Sequence, residues 1–122
     1  MKYRVAIGTS DGKNITDHFG TCGRFQIIEI SQEKDEAVFI EDRITAHQDQ
    51  CKSHLDDNII EKIKALNDCQ IILVKQIGGK SEKSEKLLIH YGFIPLVNSG
   101  TIEKALLKIK KFYKNQIFKR EE

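Results

Sequence analysis

The sequence predicts an α/β domain built on a five-stranded mixed sheet, with element order β-β-β-α-β-α-β-α. Three observations carry that prediction. Two apolar strands joined by a short polar link, 25–30 and 37–44 around Ser31-Gln32-Glu33-Lys34-Asp35-Glu36, form an antiparallel hairpin. The unbroken apolar run Gln70-Ile71-Ile72-Leu73-Val74 fits a strand covered on both faces, as in a parallel sheet. Helical patterns alternate with strands from about residue 53 onward, which implies crossover connections and helices packed on the sheet.

The elements follow in order. In residues 3–9, Tyr3, Val5 and Ile7 share one face with Ala6 between them, a short buried strand. A glycine-bearing loop, Gly8-Thr9-Ser10-Asp11-Gly12, comes next. It leads to Asp17-His18-Phe19-Gly20-Thr21-Cys22-Gly23-Arg24-Phe25. The hairpin strands come after it, then a polar loop over 45–54. Ser53 and Asp56 have the spacing of a helix start, and Leu55, Ile59, Ile60, Ile63 and Leu66 make an apolar stripe. The fourth strand ends before Gly78-Gly79. A second helix runs to about Tyr91, with Gly92 placed to terminate it. Phe93-Ile94-Pro95-Leu96-Val97 is a fifth strand at a sheet edge, because Pro95 has no N–H for a ladder. Thr101 caps a last helix whose buried face is predicted as Ala105, Leu106, Ile109, Phe112 and Tyr113. Residues 1–114 read as one domain, and 115–122 as a tail.

Composition excludes several function classes. The chain has 122 residues, 20 basic and 18 acidic side chains, and a net charge of +2, which gives no electrostatic case for nucleic acid. The lysines near the C-terminus read as a solvated helix face. No apolar run approaches the roughly 18 residues of a membrane span, and the opening strand leaves no room for a signal peptide, so a cytoplasmic location is expected. Three cysteines at irregular spacing read as thiols or ligands rather than a disulfide framework. Cys69, just before a buried strand, reads as a core residue.

The candidate chemistry lies in the loops. His18 and Cys22 are four residues apart between glycines, and an imidazole with a soft thiolate suits a transition metal or a metal–sulfur cluster. His47, Cys51 and His54 form a second cluster, compatible with metal but not a standard zinc spacing. The first and fourth strands are expected as parallel neighbours, which puts Gly8, Thr9, Ser10, Gly12, Gly78 and Gly79 at the carboxyl edge of the sheet, where α/β proteins bind ligands. Their backbone N–H groups are candidates to cradle an anionic group. Tight strand-to-helix turns would explain the same glycines. Gly79-Lys80-Ser81 imitates the end of a phosphate-binding loop, but Val74 stands where the pattern needs glycine.

The order and spacing of the opening strand, Gly8 to Gly12, Asp17-His18-Phe19-Gly20 with Phe25, Gly78-Gly79, and Ile94-Pro95-Leu96-Val97 before Gly100-Thr101-Ile102-Glu103-Lys104-Ala105 resemble the dinitrogenase iron–molybdenum cofactor biosynthesis family. That family includes NifX, NafY and the C-terminal domain of NifB. The resemblance spans roughly residues 3 to 112. It implies a ribonuclease-H-like fold and non-catalytic binding or carriage of an iron–sulfur or molybdenum-containing cluster, with His18 as the cofactor-binding histidine and a cofactor-biosynthesis or recipient protein as partner. Cys22 and the loop from His47 to His54 depart from the family pattern and add possible ligands. A mononuclear zinc domain using Cys22, His47, Cys51 and His54, and a metal-free interaction module, are the alternatives. A nuclease is disfavoured, because the end of the fourth strand carries Lys75-Gln76 and no acid. A cysteine hydrolase on Cys22 and His18 lacks an orienting third group.

Overall fold

The computed structural model describes residues 2–16, 18–19, 24–44, 63–75 and 83–113. Five strands form one sheet: β1 (Lys2–Gly8), β2 (Arg24–Ser31), β3 (Glu36–Ile44), β4 (Ile71–Val74) and β5 (Ile94–Val97). Two helices, α1 (Lys83–His90) and α2 (Ile102–Phe112), complete the described elements. Residues 63–65 are also helical, where the expected first helix was to end; its expected start at Ser53 lies outside the described residues.

The spatial order is β3-β2-β1-β4-β5. The β1–β2 and β2–β3 pairs are antiparallel, and the β1–β4 and β4–β5 pairs are parallel. The predicted mixed sheet, its hairpin and its edge strand are therefore all present. β5 closes one side of the sheet, and Pro95 faces Ile72 in the β4–β5 register. Where Ile94 and Asn98 donate to Gln70 and Val74 carbonyls across that ladder, Pro95 has nothing to donate to the open side.

Alternation along the strands divides the core in two. One face of the sheet buries Tyr3, Val5, Ile7, Ile28, Ile30, Ile71 and Leu73 under α2. The other buries Ala6, Phe25, Ile27, Ile72 and Val74 with Ile63, Leu66, Leu88 and Phe93. A strand with period-2 side chains buries both faces only when both are covered, and all four residues of β4 are buried.

Cys69 lies fully buried in the second cluster, as a core residue should. Burial, reinforced by the neighbouring Asp68 carboxylate, pushes its thiol up to about 12. Asp68 itself ties the sheet to the turn before β4. Arg43 Nη1 donates to Asp68 Oδ1 at 2.6 Å and to the Ala65 carbonyl at 2.9 Å, and Arg4 Nη1 donates to Asp68 Oδ2 at 2.6 Å.

α2 follows its local signals closely. Thr101 is its N-cap, with Oγ1 accepting from the Lys104 N–H at 3.3 Å. Ile102, Ala105, Ile109 and Tyr113 are buried, and Leu106 is half-buried. Phe112 corrects the predicted stripe: it is 70% exposed. It stands two turns after Ala105 on the same side of the helix, toward the edge strand, and β5 is only four residues long there. α1 ends as expected, with Gly92 at φ +92° and its N–H on the Ile89 carbonyl at 3.0 Å.

Candidate functional site

β1 ends at Gly8 beside the ends of β2, β4 and their neighbours. Gly8 faces Phe25, Ile7 faces Leu73, and Val74 faces Val97. The loop leaving β1 is bound into this rim. The Thr16 N–H returns to the Gly8 carbonyl at 3.2 Å. The Ile15 N–H reaches the Gly100 carbonyl at 3.0 Å, and the Ile102 N–H reaches the Lys13 carbonyl at 2.9 Å. Asn14 and Thr101 form an isolated antiparallel bridge. The loop thus docks on the start of α2.

Side chains within the loop consume its amides. Asp11 Oδ1 accepts from the N–H groups of Lys13 at 2.8 Å and Asn14 at 2.9 Å, and Oδ2 accepts from Asn14 Nδ2 at 3.0 Å. The Asn14 and Lys13 amides, then the Asn14 side chain, hold the Asp11 carboxyl well below the usual carboxylate range. Thr9, buried at 4% exposure, accepts from the Gly12 N–H at 2.9 Å. Thr16 Oγ1 accepts from the Ser10 N–H at 2.9 Å. Gly12 sits at φ +76°, a conformation that glycine adopts without strain. The Ser10 and Gly12 amides are therefore bonded within the loop, and Asp11 fills at the Lys13 and Asn14 amides the role that an external anion would take. The short polar sequence signalled a turn, but not that Asp11 would serve as its internal acceptor.

Beyond this loop, one motif places neighbouring residues in opposite environments. Phe19 is fully buried, its ring 5.9 Å from that of Phe25 in the cluster that holds Ala6, Val74 and Leu88. His18, one residue earlier, is exposed. An aromatic ring of this size anchors the chain strongly by burial. Its anchoring fixes where the backbone of His18 emerges, and that residue stays exposed. Reading the motif for its histidine alone misses Phe19 as the positioning residue; a large aromatic between a polar pair and a glycine is the sequence signal for it.

Cys22, His47, Cys51, His54, Gly78 and Gly79 lie outside the described residues. Among the described residues no three His, Cys, Asp or Glu side chains gather as a metal site. His18 is the described member of the predicted ligand set.

The fold and this motif define a class: a mixed-sheet α/β domain with an exposed histidine beside a buried aromatic. The chain belongs to the family described as dinitrogenase iron–molybdenum cofactor, whose sequence profile matches residues 1–111. Among curated proteins it is similar to NifX of Rhodobacter capsulatus, 33% identical over 81 residues, or 64% of this chain and 50% of that one. It is also similar to NifX of Sinorhizobium fredii, 31% identical over the same shares. A third relative is the FeMo cofactor biosynthesis protein NifB of Herbaspirillum seropedicae, 33% identical over 75 residues, 62% of this chain and 14% of NifB. The chain thus spans half the length of the NifX relatives. A Thermotoga protein of the DUF35 family, described as a candidate NifB protein and solved by NMR, aligns over 98% of this chain and 99% of its own, with 18% identity and a TM-score of 0.47.

Proposed function

We propose that this chain binds an iron–sulfur or molybdenum-containing cluster as cargo and passes it to another protein of cofactor biosynthesis, without chemistry of its own on the cluster. The observation that carries the reading is the pairing of exposed His18 with buried Phe19, in a chain whose family is tied by name to the iron–molybdenum cofactor. A neutral imidazole is a suitable ligand for iron. His18 is the proposed ligand, with Cys22 as a second and His47, Cys51 and His54 completing or covering the site. Gly8, Thr9, Ser10 and Gly12 act as the wall of the site, and Gly78 and Gly79 supply backbone donors to an anionic cluster. The strand order β3-β2-β1-β4-β5 favours the ribonuclease-H-like assignment, and a cytoplasmic location accords with oxygen-sensitive cargo. No helix among the described residues is long and apolar enough to cross a membrane.

Anaerobic reconstitution with iron, sulfide and molybdate tests the reading. A visible absorption band is expected in the wild type and is expected to fall to background in His18→Ala, with the far-UV spectrum unchanged. A wild-type protein that stays colourless and retains no iron after desalting defeats it.

A further inference from the structure

On the sheet face opposite Phe19, an open groove of about 630 Å³ runs between α2 and the edge strand β5. Its floor is apolar, formed by Leu73, Leu96, Ala105 and Ile109. Its rim carries Val97 and Phe112, which are 59% and 70% exposed, together with Lys108 and Lys111. Leu107, on the outer surface of α2, is also 56% exposed. Lys104, Lys108 and Lys111 follow at helical spacing, and none makes an ion pair with another described residue. A cationic ridge beside an apolar groove that no described residue fills is more than a solvated helix face, because lysine alone would leave no concave apolar floor.

We infer that this groove docks an acidic amphipathic helix of a partner protein. Charge selects the occupant: Lys108 and Lys111 line the groove, Lys104 continues their row along α2, and among the described residues no carboxylate lines it, which matches a segment whose acidic side chains flank an apolar stripe. Shape selects a helix over two competitors. The groove follows α2 from Ala105 to Tyr113, about 12 Å at the helical rise, which is about two turns of a partner helix. An added strand is opposed by Pro95, which removes a donor from the open side of β5. A flat anionic bilayer meets Phe112 and the lysines but does not fill a concave floor. The inference stands apart from the cluster reading, since it uses the other face of the sheet and none of the proposed ligands.

The test is fluorescence anisotropy with the full chain and a labelled 14-residue helical peptide alternating Glu pairs with Leu at i, i+3, i+4 and i+7 spacing. Saturable binding is expected, weakened at least tenfold in Lys108→Glu/Lys111→Glu and in Phe112→Ala. Lys64→Glu, on the opposite side of the sheet, is expected to bind as the wild type does. Thermal melts establish that each variant is folded; both sites are exposed, so folding is retained. Absence of binding, or binding indifferent to both groove variants, overturns the inference. So does a protein that leaves the peptide free but sediments with phosphatidylserine vesicles through the same lysines. Reconstitution with a cluster is not part of the readout, so failure here leaves the His18 experiment untouched.

Discussion

Single residues in this protein act through the contrast between neighbours. His18 is exposed because Phe19 is not, and Asp11 is exposed yet strongly bonded because the backbone folds around its carboxylate. Asp11 gives the residue scale its prediction. Its folded carboxyl titrates below the unfolded value of about 4, so the ionised form stabilises the native state above that pH, and the contribution is lost as pH falls below it. Asp11→Asn is therefore expected to melt below the wild type at pH 6. The gap is expected to narrow progressively as pH is lowered from 4 toward 2. Melting temperatures of both proteins across that range check it, and a gap that is constant with pH contradicts the assigned role.

Among the elements, α2 links the loop after β1 to the far end of the sheet. Its first turn is held by the Thr101 cap and by the loop after β1. Its C-cap, Tyr113, meets the hairpin and β1: Gln32 Nε2 donates to the Tyr113 carbonyl at 2.8 Å, and the Tyr3 and Tyr113 rings lie 6.4 Å apart, edge to face. The helix thus spans the sheet from the rim of the candidate site to the β2–β3 turn. Removing its cap hydroxyl in Thr101→Ala is expected to cost about 1 kcal/mol in urea unfolding, with an unchanged denaturant slope. Because Thr101 also bridges to Asn14, hydrogen exchange at residues 13–15 is expected to quicken in the same variant.

For the molecule as a whole, the two-sided burial of β1 and β4 makes the sheet a single cooperative unit. Cys69 reports on that unit, since it sits in the cluster shared by the sheet, residues 63–66 and α1. Its raised thiol pKa means that burial favours the neutral form. The stability this brings is complete below the ordinary thiol pKa of about 8.5 and declines as pH rises from there toward about 12. Alkylation of Cys69 by iodoacetamide, read by peptide mapping, is expected to be slow in native protein and to rise with urea in step with global unfolding. Labelling as fast as that of an unfolded control at zero urea would show that this cluster opens locally.

The strands, the hairpin, the Thr101 cap, the Gly92 stop and the edge position of β5 were all readable in the residues themselves. Periodicity, turn chemistry and the missing proline donor act over a few neighbours and need no knowledge of the rest of the chain. The family was likewise legible, in the order of short motifs from Gly8 to Ala105. What the amino-acid order could not supply was which neighbours compete for the same groups. Local pattern marked the amides of the Gly8–Gly12 loop as available, yet Thr16 and Thr9 accept from those of Ser10 and Gly12, and Asp11 accepts from the Lys13 and Asn14 amides that follow. It marked Phe112 as buried, but how far a short edge strand reaches beneath a helix is a matter of assembly. Tertiary structure alone decided the anchoring of His18 through Phe19 and the groove beneath the α2 lysines, because burial belongs to the packed whole and not to any segment taken by itself.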